Sequence, residues 1–426
     1  MPSRTGNPAL PAICDVAIVG GGPAGLAAAT RLRQCGVGSV VVLERELQAG
    51  GIPRHCGHYP FGMREFHKLL RGPDYARRLV ARAEAAGVAI HTSTSVVALK
   101  EGPGLTLSTP EGKAELAARR ILLCTGVRET SRAQRMIGGQ RPLGIVSTGA
   151  LQSMVYLAGT KPFQRPVIVG SELVSLSAIL TCRHAGIRPL AMVEEADRVT
   201  AWRASSALPR LLGIPLLLET ELTAICGHER VEAVRLSDRD GGERTLETDG
   251  VIVTGRFQPE ASLMRMGHLA VDPGSGGPVI DQYGRCSDPD FFAAGNLLRP
   301  VETAGWSWRE GVCAAEAIAE SLAGTLPETE TRITIEIDHP AIKLAVPQTV
   351  SLPLDQSGLA GRSGMDHIQL RFARAAPGRL TVLDGETEVW SKAVSGLPER
   401  RVLIPLRAIA QKAGGRRLSI GVRKGG

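Results

Sequence analysis

The run Gly20-Gly21-Gly22-Pro23-Ala24-Gly25, answered by the acid Glu44, is the part of this 426-residue chain whose residue types and spacing point most directly to chemistry. Gly20 allows a tight turn, Gly22 lets the backbone approach a pyrophosphate, and Gly25 permits a helix to lie close against a strand. The N-terminus of the helix that follows the turn offers unclaimed N–H groups and a partial positive charge to phosphates. Glu44 has the reach to accept both hydroxyls of an adenosine ribose. Together these residues describe a dinucleotide site rather than a glycine-rich turn without a ligand.

The elements that must position them read clearly. Asp15–Val19 is an apolar strand, Leu26 to Cys35 an Ala- and Leu-rich helix, and Ser39–Leu43 a second buried strand, which together make one parallel βαβ unit. A second unit begins at Pro166, with strand Val167–Val169, turn Gly170, helix Leu173 to His184 and strand Pro189–Val193 ending in Glu194. Gly20 to Glu44 and Gly170 to Glu194 are spaced identically. Ile121–Gly126 and Val251–Gly255 are matched strands ending in Thr-Gly, each able to close one nucleotide domain. Phe291–Gly295 is a last strand, leading to a helix from Gly305 to Leu322. From Thr331 the pattern changes to short alternating strands, such as Arg332–Ile337, Ile368–Phe372, Leu380–Leu383 and Arg401–Leu406.

The expected fold is α/β, with two Rossmann-like dinucleotide-binding domains, the second inserted in the first, and a small C-terminal β-rich domain. The expected boundaries are 1–148 and 257–328 for the two parts of an FAD-binding domain. Residues 149–256 form the inserted NAD(P)-binding-like domain and 329–426 the β-rich module.

FAD rather than NAD is argued by the distant closing segment. Ala294-Gly295-Asn296, then Val301-Glu302-Thr303-Ala304 and a helix, return to the first site. A long cofactor needs such a second contact, and a helix N-terminus at Thr303 and Ala304 can stabilise negative charge on a reduced flavin's N1–C2=O edge.

Residues 14 to 325 resemble the pyridine nucleotide–disulfide oxidoreductase superfamily. Within it, His55-Cys56-Gly57-His58 to Gly62-Met63-Arg64-Glu65-Phe66, and Ala293–Asn296 to Val301–Ala304, resemble a narrower group. That group comprises the FAD subunits of hydrogen cyanide synthase, opine oxidases and dye-linked amino-acid dehydrogenases. The resemblance implies FAD contacts at Gly20, Gly22, Pro23, Ala24, Gly25, Glu44, Arg45, Gly51, Thr125, Gly126, Gly295 and Asn296. Members often carry Asp where this chain has Asn296, whose amide can still hydrogen-bond a pyrophosphate or ribityl chain.

Two departures bear on mechanism. Gly50-Gly51 is followed by Cys56 alone, so a dithiol relay from this segment is excluded. Cys56 as a lone thiol, and His55 and His58 as proton donors near the flavin, are the catalytic candidates. The alternative is packing or partner contact. A metal reading is disfavoured because the three are too clustered in one short loop to close a tetrahedral site without another ligand, and no metal is expected. In the second turn, Glu172 stands where a glycine would admit a pyrophosphate. Its bulk and like charge oppose phosphate, so NAD(P) binding there is in doubt, although Glu194 could hold a ribose. Trp306 and Trp308, two apart near a helix start, cannot share one face. One is expected in the core, the other against the flavin or a partner.

Composition sets the bounds. Hydrophobic residues at 43% and charged residues at 22% are globular values. No apolar run suffices to span a bilayer, and Met1 to Ile13 lacks the layout of a signal peptide. A cytoplasmic location is therefore expected, with membrane association only through partners. None of the eight cysteines forms a CxxC pair, which suits a reducing compartment. The net charge of +8 lies almost wholly beyond residue 330, where 15 Lys+Arg face 8 Asp+Glu. This is read as a solvated basic surface rather than a patch for an acidic partner or anionic membrane, and nucleic acid is not an expected partner.

The expected function is that of the FAD subunit in a hetero-oligomeric dye-linked dehydrogenase. By resemblance, the substrate is an amino acid or related small acid or amine. Electrons pass to a second flavoprotein subunit, an iron–sulfur subunit or a quinone. Two alternatives stand beside it: a standalone NAD(P)H-dependent flavin reductase, and a non-catalytic FAD-holding docking subunit.

Overall fold

The computed structural model describes residues 9–201, 207–352, 363–398, 400–410, 412 and 414–423. Strand β1 (Ile13–Val19), helix α1 (Pro23–Gln34) and strand β2 (Val40–Leu43) form the first βαβ unit. β1 pairs in parallel with β2, matching Val16 with Val40 and Val19 with Leu43. Helix α2 (Gly72–Ala85) and strand β3 (Ala89–His91) continue it on one side. On the other side the antiparallel strands β4 (Ser95–Lys100), β5 (Gly104–Thr109) and β6 (Gly112–Leu123) follow. The second half of β6 runs parallel to β1, with Ile18 opposite Leu122. The strand Phe291–Ala293 returns to pair with β6, and completes a seven-stranded sheet.

β1 and β2 are apolar along almost their whole length because helices or loops cover both sheet faces. Val16, Ile18, Leu26, Leu32, Val42 and Phe292 are buried on one side, and Ala17, Val41, Leu123 and Phe291 on the other.

The chain leaves this sheet after β6 and builds a second one. Helix α3 (Thr148–Gln152) precedes strand β7 (Val167–Val169), which is followed by helix α4 (Leu173–His184), strand β8 (Ala191–Val193) and, later, strand β9 (Val251–Val253). β7 lies between β8 and β9, all parallel and in matched register. Each of these three strands is wholly buried, so three residues suffice to carry it.

The chain then returns to the first sheet and into α5 (Ala304–Ala323), which packs lengthwise against α1. The close approach depends on Gly311, where a Cβ would lie 2.1 Å from the Ala24 carbonyl oxygen. Beyond α5 the chain is β-rich, with a five-stranded and a three-stranded sheet sharing the core of Ile333, Leu370, Phe372, Leu380, Ile404 and Ile420. This module is not a loose appendage. Its Leu344 and Val346 join the apolar cluster beneath the first sheet, with Ile280 and Leu297.

Candidate functional site

The first glycine turn is shaped by what its neighbours exclude. A Cβ on Gly20 (φ +108°) would lie 2.5 Å from the Cys124 carbonyl oxygen, and one on Gly25 would lie 2.0 Å from that of Gly20. Gly51 (φ +62°) abuts Gly22, where its Cβ would fall 2.8 Å from the Gly22 Cα. Gly22 itself caps α1 without a side-chain hydrogen bond, with Pro23 in the first turn. The N–H groups of Ala24 and Gly25 belong to that first turn, where no intrahelical acceptor exists.

Glu44 is only 6% exposed. Its Oε2 accepts from the Gly21 N–H at 2.9 Å and its Oε1 from the Glu46 N–H at 2.9 Å. The carboxylate is thus fixed beside the turn, with lone pairs remaining for hydroxyl donors. Arg45 points to solvent and pairs weakly with Glu46 at 3.9 Å.

The distant segment arrives where the first turn needs it. Gly295 (φ +77°) leaves no room for a Cβ, which would meet that of Ala24 at 2.8 Å. Thr303 caps the 20-residue α5 without a side-chain bond, so the end at Thr303 and Ala304 keeps its N–H groups available. The buried Ser307 hydroxyl, in the first turn of α5, finds no hydrogen-bond partner among the described residues. It lies within 3.9 Å of the Gly295 Cβ position. An orphaned hydroxyl, an uncapped helix start and a cradle that no side chain could share fit a dinucleotide cofactor. Thr125 and Gly126 brace the turn from the far side. Thr125 Oγ1 donates to the Glu260 carbonyl at 2.7 Å, and the Gly126 carbonyl accepts from Glu260 N–H at 2.9 Å.

Asn296 is engaged within its own loop. Its Nδ2 donates to the Glu302 carbonyl at 3.1 Å and its Oδ1 accepts from the Glu302 N–H at 2.7 Å. The amide closes its own loop, which holds the start of α5 in place.

The His55-Cys56-Gly57-His58 loop follows Gly51 by way of the short helical turn Ile52–His55. Cys56 is buried, and burial pushes its thiol up to about 12, with Glu129 acting in the same sense. It is therefore a neutral thiol near pH 7, with Sγ 3.5 Å from both the Ile52 carbonyl and Gln152 Oε1. Burial, then Arg54, holds His55 below the usual imidazole range, and its Nδ1 has no hydrogen-bond partner among the described residues. His58 Nδ1 lies 2.9 Å from the Tyr59 carbonyl, and its ring leans on Phe61. No group of three or more His, Cys, Asp or Glu among the described residues is arranged to hold a metal.

The second turn repeats the first up to one residue. Ser171 N–H donates to Glu194 Oε2 at 3.0 Å and Ala196 N–H to Oε1 at 3.1 Å, as Gly21 and Glu46 do to Glu44. At Glu172 the likeness ends. Its carboxylate accepts twice from the Arg256 N–H, at 2.8 and 3.0 Å. It lies over Gly255, where a Cβ would be 1.8 Å from Oε2. What remains is a cavity of about 80 Å³ lined by Arg135, Glu172, Glu194, Glu195 and Arg256. Ligand sites for small molecules occupy roughly 300–1,000 Å³.

Two participants carry no local sequence signal. Glu129 bridges the Gly149 N–H at 2.8 Å and the Gly255 N–H at 3.1 Å. Arg135 reaches the Thr254 carbonyl and Thr130 Oγ1. Trp306 is held among Arg401, Arg64 and Arg309, with the nearest guanidinium 3.7 Å from the ring centroid, whereas Trp308 packs on the core.

Comparison with known proteins matches residues 14–311 to the family model described as pyridine nucleotide-disulphide oxidoreductase. The NAD-dependent dihydropyrimidine dehydrogenase subunit PreT of Escherichia coli O157:H7 is 26% identical over 321 residues, covering 75% of this chain and 71% of that relative. An opine oxidase subunit of Rhizobium meliloti is 24% identical over 66% of this chain, which spans 58% of that relative's length. T. acidophilum thioredoxin reductase shares the fold, with a TM-score of 0.62 and 22% identity over 73% of this chain and 99% of that one.

Proposed function

Because the chain belongs to the pyridine nucleotide-disulphide oxidoreductase family and is an FAD-dependent oxidoreductase, we propose that it is the FAD subunit of a hetero-oligomeric dehydrogenase. The substrate is an amino acid or related small acid or amine. Electrons leave to a partner flavoprotein, an iron–sulfur subunit or a quinone. The observation that supports this reading is Glu172, whose carboxylate lies over Gly255 and accepts the Arg256 N–H at the turn position where the first cradle has Gly22. A chain with an intact first cradle and a filled second one has no direct route from NAD(P)H.

Gly20, Gly22, Pro23, Ala24, Gly25 and Gly51 frame the pyrophosphate, and the α1 N-terminus donates to it. Glu44 takes the adenosine ribose, with Arg45 at the solvent edge. Thr125, Gly126, Gly295 and Asn296 fix the closing loops, and Thr303 and Ala304 present the end of α5 to developing negative charge. The bound flavin supplies the two-electron chemistry. His55 is assigned proton chemistry beside the flavin, its imidazole held below the usual range by burial, then by Arg54, with Nδ1 unpartnered among the described residues. Cys56 packs beside it as a neutral thiol, and His58 lies further along the loop.

The test is dye reduction by the purified chain with a panel of amino acids and amines, alone and with a co-purifying partner. Turnover that needs the partner and an amino-acid-like substrate supports the reading. Turnover by the chain alone with NADH contradicts it.

A further inference from the structure

A cavity of about 560 Å³, far larger than the one at Glu172, opens where the first and second units meet. His58, Tyr59, Arg71 and Arg77 line it from the first unit, and Tyr156 and His184 from the second. It shares no lining residue with the second cradle. Its volume falls within the range typical of small-molecule sites, roughly 300–1,000 Å³.

The aromatic side of this cavity is ordered. The rings of Tyr156 and His184 are stacked with centroids 4.9 Å apart and 28° between planes. Gly57 allows this arrangement, since a Cβ there would lie 2.2 Å from the Tyr156 ring. The pair offers a flat surface on which another planar π-system can stack.

The charged side is unbalanced. Arg77 is matched by Asp74. Arg71 stands over the Tyr59 ring at 5.4 Å, and no carboxylate among the described residues lies within ion-pair distance of it. The Arg71 guanidinium therefore has N–H donors that no carboxylate among the described residues claims, and a planar, bidentate carboxylate fits that fork.

We propose that this cavity binds a small carboxylate carrying a flat unsaturated ring, its carboxylate on Arg71 and its ring against the Tyr156–His184 pair. The site is separate from both nucleotide cradles and does not depend on which acceptor receives the electrons.

Calorimetric titration of the full-length, FAD-loaded chain with benzoate, benzamide and inorganic phosphate decides the matter. Benzoate is expected to saturate a single site. Benzamide lacks the charge and phosphate lacks the ring, so each is expected to bind weaker by roughly tenfold or more. Arg71→Gln is expected to weaken benzoate by a similar factor while leaving benzamide unchanged. His184→Leu, at an exposed position, is expected to weaken benzoate and benzamide alike, and it decides the case if Arg71→Gln fails to hold flavin. The proposal is overturned by any of three results: no saturable benzoate binding, phosphate binding as tight as benzoate, or benzoate affinity untouched by both variants. If the first of these is joined by burial of this surface in a partner complex, the cavity is assigned to a protein contact.

Discussion

The carboxylate of Glu172 lies over Gly255 and accepts the Arg256 N–H with both oxygens, at 2.8 and 3.0 Å. This carboxylate stands at the position of the second turn where the first turn has Gly22. The neighbouring acid Glu194 keeps the same two backbone bonds that Glu44 keeps in the first cradle.

Removing that side chain should reopen the cradle. Glu172 is also the cap of α4, a position where glycine is well tolerated. Glu172→Gly is expected to raise affinity for NADH or NADPH by roughly tenfold or more, equivalent to about 1.4 kcal/mol. Fluorescence titration of the reduced nucleotide measures this. An unchanged affinity means that Arg135 and Arg256, rather than Glu172, close the site.

Glu44 should govern flavin retention. Glu44→Ala leaves the Gly21 and Glu46 N–H groups without their acceptor, a loss of about 1–3 kcal/mol at the buried Gly21 N–H, and would also remove the proposed ribose contact. The variant is expected to purify largely without flavin, with Glu44→Gln intermediate. The ratio of flavin to protein absorbance reads this out, and full occupancy in the alanine variant would refute the assignment.

The seam between the β-rich module and the start of α5 centres on Glu302, which is 5% exposed. Arg371 and Gln369 bond its Oε1, and Arg401 lies 3.4 Å from Oε2. Arg299, itself buried, approaches within 3.8 Å. Glu302→Ala leaves three guanidinium groups without that carboxylate and is expected to cost about 3–5 kcal/mol. Denaturant unfolding measures the cost, and a loss below about 1 kcal/mol would show that the seam does not anchor the module.

Buried histidines set an acid limit. Burial lowers the pKa of His91 and of His55, so the unfolded chain binds these protons more readily than the folded one. Stability is therefore expected to fall as pH drops below the ordinary imidazole value of about 6.5, by up to about 1.4 kcal/mol per pH unit for each histidine. His91→Leu is expected to flatten this slope. Unfolding curves between neutral and mildly acidic pH, with and without the substitution, test it.

The two turns were legible in the sequence because their logic is local. Gly20, Gly25 and Gly170 each answer a constraint set by the adjoining strand and helix, and Glu172 is conspicuous against that pattern. The contacts of Asn296 were not legible. Its type allows a cofactor bond, but its amide is engaged by the main chain of Glu302 once the loop folds back. The environment of Trp306 was equally hidden, since Arg64 and Arg401 come from distant segments that only tertiary packing brings together. Cys56 was visible as a lone thiol, but its burial was not, and burial decides that it stays protonated.

The proposed role is that of an FAD subunit that takes its electrons from somewhere other than a pyridine nucleotide. Anaerobic titration of the flavin-loaded chain with NADH and NADPH, followed by dithionite, tests it most directly. The oxidised flavin spectrum is expected to persist through both nucleotides and to bleach only with dithionite. Rapid stoichiometric bleaching by either nucleotide would contradict it.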